Sequence, residues 1–358
     1  MDWIDELSRL TKIAEGGNGD YVKWKITAVP KTYDETRDVV KLANERKLSL
    51  YPFSFNKHHI GPAINVDIGI DLSNLSKIIE VSDEDLYVTV QAGVKVSDLF
   101  EFLKKRNLFL PAYYEGSIGG LLATNLPTPF SSFYGYPKNL VLTAKLLTGD
   151  GIIVKGGGKT LKFSSGYKLH KILAGMLGWL GIYLEITLKI YPFPEEIATL
   201  QNSNITLMSK YRPISLIYEM DKNGEREYAT FIGFRKAIAK IEEELGGKVQ
   251  EGFYSIDYTE GDNVISIHTI RGKEIEAIKR TNSLMKVNKA LGIIGTGYCR
   301  VEVNSLEGLD KLRQEINGQV TVERGKYHGD YWGIEDKEIL YRLKSAFDPN
   351  NVLLPGLI

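Results

Sequence analysis

The sequence predicts an α+β protein, with two small α+β units followed by an antiparallel sheet backed by helices. Three observations predict it. The chain has a strand–helix–strand pattern between Val22 and Phe53. Gly149-Asp150-Gly151 sits between two apolar runs, the signature of a hairpin. Beyond Pro192 and Pro194 the texture changes to longer polar–apolar alternation with two helical stretches, which suits a helix-backed antiparallel sheet.

In chain order, Val22 to Val29 reads as a strand that stops at Pro30. Thr32 or Asp34 is placed to cap a helix running to about Lys47, with Val39, Val40, Leu42 and Ala43 on its buried side. Leu48 to Phe53, Ile64 to Ile70, Ile78 to Val81 and Tyr87 to Val90 read as strands, the middle two joined by a turn at Asp71–Leu75. Val96 to Arg106 reads as an amphipathic helix with Ser97 or Asp98 as its cap. A glycine loop at Gly116–Gly120 then leads into a short helix from Leu121, and Tyr183 to Tyr191 alternates as a strand. In the later part, Ser215–Met220, Tyr228–Phe234, Val264–Ile270 and Cys299–Val303 read as strands. Arg235–Leu245, Lys273–Leu291 and Lys337–Phe347 read as helices. The expected division is an extension over 1–20, a first domain over 21–194, an antiparallel domain over 195–320, and a segment over 321–358 returning to the first domain.

Composition narrows the function classes. The 358 residues carry 45 basic and 45 acidic side chains, so no basic surplus points to nucleic acid. Cys299 is the lone cysteine, which excludes an internal disulfide and suits a reducing, cytoplasmic setting. The start lacks the basic and apolar regions of a signal peptide. No uncharged apolar run reaches the ~18 residues of a spanning helix. Abundant Lys, Glu, Ile and Tyr lean toward a thermophile.

Glycines mark the candidate binding segments. Ser117-Ile118-Gly119-Gly120, followed by Thr124 and Asn125, reads either as a tight turn before a helix or as backbone approaching a flat or anionic ligand. Gly175, Gly178 and Gly181 fall every third residue before a strand, a spacing that close helix–strand packing also explains. This is not the G-x-G-x-x-G fingerprint, so a nicotinamide-binding domain is excluded. Gly156-Gly157-Gly158 precedes Lys159 rather than a Gly-Lys-Ser/Thr helix start, and reads as a surface turn.

These pieces recur in a known order. The series Pro30, Tyr51-Pro52, Asp71–Leu75, Val90–Val94, Leu110-Pro111, Ser117–Gly120, Ala123-Thr124-Asn125, Gly135, Gly149–Gly151, Gly178–Ile182 and Pro192 resembles the FAD-binding (PCMH-type) domain of the vanillyl-alcohol oxidase superfamily. The tail Phe347-Asp348-Pro349-Asn350-Asn351, ending on Pro355-Gly356, looks like that superfamily's usual ending. Chain length, the run Ser165–Gly175 and the loop Ser54–Gly61 most resemble the E-type flavin subunit of glycolate oxidase. The resemblance implies FAD and a small 2-hydroxy acid substrate such as glycolate or lactate. It also implies electron transfer to a larger flavin subunit and an iron–sulfur subunit, which would make any membrane association peripheral. A flavin-carrying electron-transfer or scaffold subunit is the alternative, and a protein that keeps the fold without flavin is a third reading.

The resemblance also implies site residues. The family's Arg-Gly-Gly-Gly-Thr phosphate loop is replaced here by Pro52-Phe53-Ser54-Phe55-Asn56-Lys57, which leaves Ser54, Asn56, Lys57 and His58 to meet phosphate with side chains. His58-His59 admits two readings, covalent flavin attachment or help with the phosphates. Pro111, Ser117, Ile118, Gly119, Gly120, Thr124, Asn125, Gly135, Gly178, Gly181 and Ile182 complete the expected cofactor set. Tyr327-His328-Gly329 faintly resembles a Glu-His-Gly motif of relatives, making His328 the candidate base, with Arg324 or Arg300 to clamp a carboxylate. For each arginine the alternative is an ordinary surface or interface role. His268, within an alternating strand, is expected to be structural. His170, His268 and His328 are isolated in sequence, so no metal is expected.

Overall fold

The structure is a computed structural model that describes residues 2–19, 21–158, 168–202, 204–256 and 261–358. The fold is α+β. A four-stranded sheet comes first, in the order Lys12–Asn18, Val22–Val29, Ile64–Asp71, Leu50–Phe53. Val22–Val29 and Leu50–Phe53 both run parallel to Ile64–Asp71, which requires the helix Tyr33–Arg46 as a crossover. Thr32 caps that helix by accepting from the Glu35 N–H at 3.1 Å, and Val39, Val40, Leu42 and Ala43 face the core as their spacing predicts. The N-terminal residues, expected as an extension, hold the helix Trp3–Leu10 and the edge strand of this sheet.

The second sheet is antiparallel, in the order Ile78–Ser82, Tyr87–Gln91, Gly181–Lys189, Val141–Thr148, Ile153–Gly157. Gly156 and Gly157 are strand residues here, paired with Ala144 and Thr143, and not the surface turn their sequence suggests. The reason is close approach: a Cβ on Gly157 would lie 2.1 Å from the Leu142 carbonyl oxygen. The helix Val96–Lys104 begins at Lys95 without a side-chain cap, so neither Ser97 nor Asp98 plays the expected role. Residues Ser165–Tyr167 of the family-like run lie outside the described residues.

The third sheet has eight antiparallel strands: Lys248–Glu251, Glu196–Gln201, Gly224–Gly233, Ser215–Asp221, Val287–Ile293, Tyr298–Val303, Val264–Thr269 and Gly318–Arg324. The helix expected over Lys273–Leu291 ends at Leu284, and Val287–Ile293 is a strand. Met285 turns extended there, and the strand fills the gap between Ser215–Asp221 and Tyr298–Val303, burying Ala290, Leu291 and Ile293. Pairing within the sheet overrides helix propensity over those residues. The expected boundary at residue 320 falls inside the strand Gly318–Arg324. The tail helix Glu338–Phe347 then leads back to the first sheet, where Leu50 donates to the Val352 carbonyl and accepts from the Leu354 N–H.

Candidate functional site

A groove runs between the first two sheets. One wall is the segment from Pro52 to Ile60, which leaves the end of the strand Leu50–Phe53. The other is the short helix Ile118–Thr124 with the stretch from Leu177 to Tyr183. Ser117 sets the helix start: its hydroxyl accepts from the Gly120 N–H at 3.0 Å and donates to the Ser54 hydroxyl at 3.1 Å. Gly119 packs directly on Ala92, where an added Cβ would meet the Ala92 Cβ and carbonyl oxygen at 3.0 Å. Gly178 takes φ +86° and sits where a Cβ would be 2.8 Å from Pro52, so only glycine lets the two walls approach this closely.

Most of the sequence-expected cofactor residues line this groove. Pro52, Phe53, Ser54, Phe55, Asn56, Lys57 and His58 form the loop wall. Ser117, Gly120 and Thr124 face them, and Gly119, Gly178, Gly181 and Ile182 line its deeper end. Four expected residues lie off the lining. Pro111 and Ile118 are buried, and Asn125 closes the helix in a left-handed conformation while accepting from the Lys138 N–H at 3.0 Å. Gly135 ends the turn Ser131–Tyr134. Sequence reasoning missed Tyr51, Tyr114 and Leu177 in the lining. Tyr114 carried a signal in its position just before the glycine loop, but no periodicity marked it.

The loop residues that replace the family's glycines are engaged within the chain. Asn56 takes φ +48°, which asparagine tolerates better than most residues, and accepts from the Tyr51 hydroxyl at 2.6 Å. Lys57 pairs with Glu115 at 2.7 Å in an exposed position. The His58 ring lies against Tyr114, with centroids 4.7 Å apart. His59 stacks on Tyr21 and its Nε2 lies 3.1 Å from the Gly61 and Pro62 carbonyl oxygens.

Beyond the loop wall, the third sheet meets the chain at Gly61. Glu323 is fully buried there. Its carboxylate accepts from Arg300 Nε at 2.7 Å and from the Tyr298 hydroxyl at 3.1 Å, while its backbone carbonyl accepts from the Gly61 N–H at 3.0 Å. The loop and the sheet are thereby tied together, and His58 feels the charges of both Arg300 and Glu323. Burial, reinforced by Arg300, lowers the His58 pKa, and burial lowers those of His59 and His170. Arg324 stands over the Tyr21 ring, 5.3 Å from its centroid. His328 is exposed and does not line the groove. His268 packs edge-on against Tyr298.

A pH dependence follows from the four lowered histidines, His58, His59, His170 and His268. In the unfolded chain they titrate near pH ~6.5, whereas in the fold they resist protonation. Below pH ~6.5 the unfolded state therefore binds more protons, and stability falls as pH drops. The expected result is a Tm that declines between pH 6.5 and 5 and is restored on return to neutrality. An unchanged Tm across that interval would contradict the burial of these rings.

Comparison with known proteins identifies the groove's domain. Residues 24–157 match the family model described as a FAD binding domain. The chain carries a FAD binding domain. The matched span covers the loop wall and the helix Ile118–Thr124, while the stretch Leu177–Tyr183 of the second wall lies beyond it. A D-lactate dehydrogenase of Anaerostipes hadrus is 33% identical over 47% of this chain and 36% of its own length. The glycolate oxidase subunit GlcD of Bacillus subtilis is 28% identical over 48% of this chain and 38% of its own length. The chain thus matches little more than a third of the length of these curated relatives. A D-lactate dehydrogenase of Archaeoglobus fulgidus is 24% identical over 100% of this chain and 99% of its own length. In fold, an alkyldihydroxyacetonephosphate synthase superposes with a TM-score of 0.67 at 14% identity, covering 93% of this chain and 76% of that one. The recognition made from the motif series, a FAD-binding protein of the vanillyl-alcohol oxidase type, agrees with these findings.

The flavin domain's donor set suits FAD: Ser54, Asn56, Lys57 and Thr124 offer polar groups for a diphosphate, and the glycines admit a close, flat approach. The space is narrower than the chemistry. The two parts of the groove measure about 90 Å³ and about 70 Å³, against roughly 300–1,000 Å³ for ordinary ligand pockets. Opening it means moving the loop 52–60 away from Ser117 and Gly178. The Lys57–Glu115 pair competes with that role, since Lys57 cannot hold Glu115 and a phosphate equally well. Glu115→Gln is therefore expected to tighten FAD binding about two- to fivefold, in line with the ~1 kcal/mol upper range of an exposed pair. Fluorescence titration of FAD would register it, and weaker binding in the variant would refute the competition. Among the described residues, no helix is long and apolar enough to cross a membrane.

Proposed function

We propose that the chain oxidises a small 2-hydroxy acid, with FAD as the acceptor of two electrons. The observation that supports this most is that His58, on the groove loop, lies within electrostatic reach of the buried Arg300–Glu323 pair of the third sheet, to which Gly61 ties the loop. Such an oxidation needs a base for the hydroxyl proton and a cation for the carboxylate. FAD, when bound, supplies the hydride acceptor. His58, kept neutral by its surroundings, is suited to take the hydroxyl proton at a ring nitrogen. Arg300 supplies buried positive charge for the carboxylate, and Glu323 with Tyr298 holds the guanidinium in place. This reading moves the base from the exposed His328 to His58. D-lactate dehydrogenases among the relatives support a 2-hydroxy acid, and a relative named as a glycolate oxidase subunit supports work alongside partner proteins.

The test is anaerobic flavin reduction by D-lactate and by glycolate. His58→Gln is expected to slow reduction about 10²-fold, the lower end of general base catalysis, with FAD still bound. A full rate in that variant overturns the assignment. Flavin that stays with the denatured wild-type chain would reassign His58, or His59, to covalent attachment. A second reading, a flavin-carrying electron-transfer subunit, is favoured by the narrow groove and its internally paired loop. It predicts no reduction by either acid alone, but reduction through partner proteins.

A further inference from the structure

A second cavity, of about 770 Å³, opens beside the groove. It lies between the helix Val96–Lys104 with the segment 112–116 and, across from them, Phe193 with residues 252–255. Phe55, Lys57, Tyr114 and Gly116 are shared with the groove, so the two spaces are separated by one layer of side chains. Its body is aromatic. Phe130 meets Phe253 edge-on at 5.0 Å, and Phe100 and Phe193 each pack near 6 Å from the same ring, at 6.2 and 6.3 Å. Its rim is cationic. Lys95 Nζ stands 5.0 Å over the Phe55 ring, and Lys104 Nζ stands 5.7 Å over the Phe193 ring. Of the two carboxylates of the lining, Glu115 is paired with Lys57, and among the described residues no ion pair joins Glu101 to Lys95 or Lys104.

We propose that this cavity binds an amphipathic carboxylate, with its hydrocarbon tail against the phenylalanines and its head at the lysine-bearing rim. Volume and aromatic lining call for an apolar body far larger than a two- or three-carbon acid. Two lysines held over rings, neither joined to Glu101, call for an anionic head. The proposal does not rest on the oxidation proposed for the groove, although Phe55 and Lys57 belong to both spaces.

Calorimetric titration of the whole chain with octanoate, decanoate, decanol and decyltrimethylammonium tests it. Decanoate is expected to bind one to one. Each added methylene should tighten binding up to about fourfold, the equivalent of ~0.8 kcal/mol per buried CH₂. Decanol should bind about tenfold more weakly, and the cationic analogue should not bind. Lys95→Gln combined with Lys104→Gln should weaken decanoate about tenfold and leave decanol and FAD binding unchanged. Both lysines are exposed, so the double variant is expected to fold normally, as circular dichroism would verify. Equal binding of octanoate and decanoate, equal binding of the anion and the cation, or an unchanged decanoate affinity in the double variant would each overturn the proposal.

Discussion

Arg300→Leu is expected to lower the stability of the chain by about 3–5 kcal/mol, because it strips a buried carboxylate of its ionic partner. The Glu323 side chain is 2% exposed and that of Arg300 is 12% exposed. Without the guanidinium, Glu323 keeps the Tyr298 hydroxyl among its donors, too little for a full charge away from water. The same substitution should loosen the groove loop, since Gly61 is anchored on the Glu323 backbone. Replacing both partners by apolar residues, Arg300→Met with Glu323→Leu, should recover much of the loss, because no lone buried charge remains. Urea denaturation of the single and double variants measures the difference. A single variant with the wild-type midpoint would show that the pair contributes nothing to the fold. Arg300→Lys should fall in between, since the charge is kept and the planar fork is lost.

Asp348→Ala should destabilise by a similar amount, about 3–5 kcal/mol, through a different network. The Asp348 side chain is fully buried. It accepts from the Val352 and Leu353 N–H groups at 3.0 and 2.8 Å and pairs with Lys344 Nζ at 2.7 Å. Lys344 also donates to the carbonyl oxygens of Trp179 and Leu353, both at 2.6 Å. Removing the carboxylate leaves a buried ammonium without its counter-charge and two backbone donors without acceptors. Lys344→Met removes the ammonium instead and should cost less when combined with Asp348→Asn. The effect should reach the groove, because Trp179 lies between Gly178 and Gly181, so FAD affinity should fall with stability. A denaturation midpoint unchanged by Asp348→Ala would sink this account.

What was legible in the sequence follows physical lines. The first strand–helix–strand unit could be read because Thr32, the spacing of Val39, Val40, Leu42 and Ala43, and the following apolar run all agree. Local propensity and tertiary packing point the same way there. Val287–Ile293 could not be read, because its residues suit a helix and only the neighbouring strands make it a strand. The same holds for Gly156 and Gly157, whose role is set by backbone approaching from residues 142 and 143 and by the nearby His170. In the candidate site, the glycine loop and the replaced phosphate loop were visible as motifs in order. The Arg300–Glu323–Tyr298 cluster was not: Arg300 and Tyr298 sit two residues apart on one strand, Glu323 lies on another, and nothing local in sequence joins them. His328 was chosen from a short motif, and a three-residue motif carries no information on exposure.

The way Leu50 is gripped bears on how the chain folds. Leu50 lies in the first sheet, yet its backbone partners are Val352 and Leu354, about three hundred positions later. Closing so long a loop is entropically slow, and such contacts form late. During synthesis the edge of the first sheet therefore waits, unpaired, until the ribosome has released residues 348–354. In that interval Leu50–Phe53 is an open strand edge, a template for pairing with another chain. Chains stalled before that point should aggregate or recruit chaperones, and supplying a peptide of residues 345–358 in trans should suppress it.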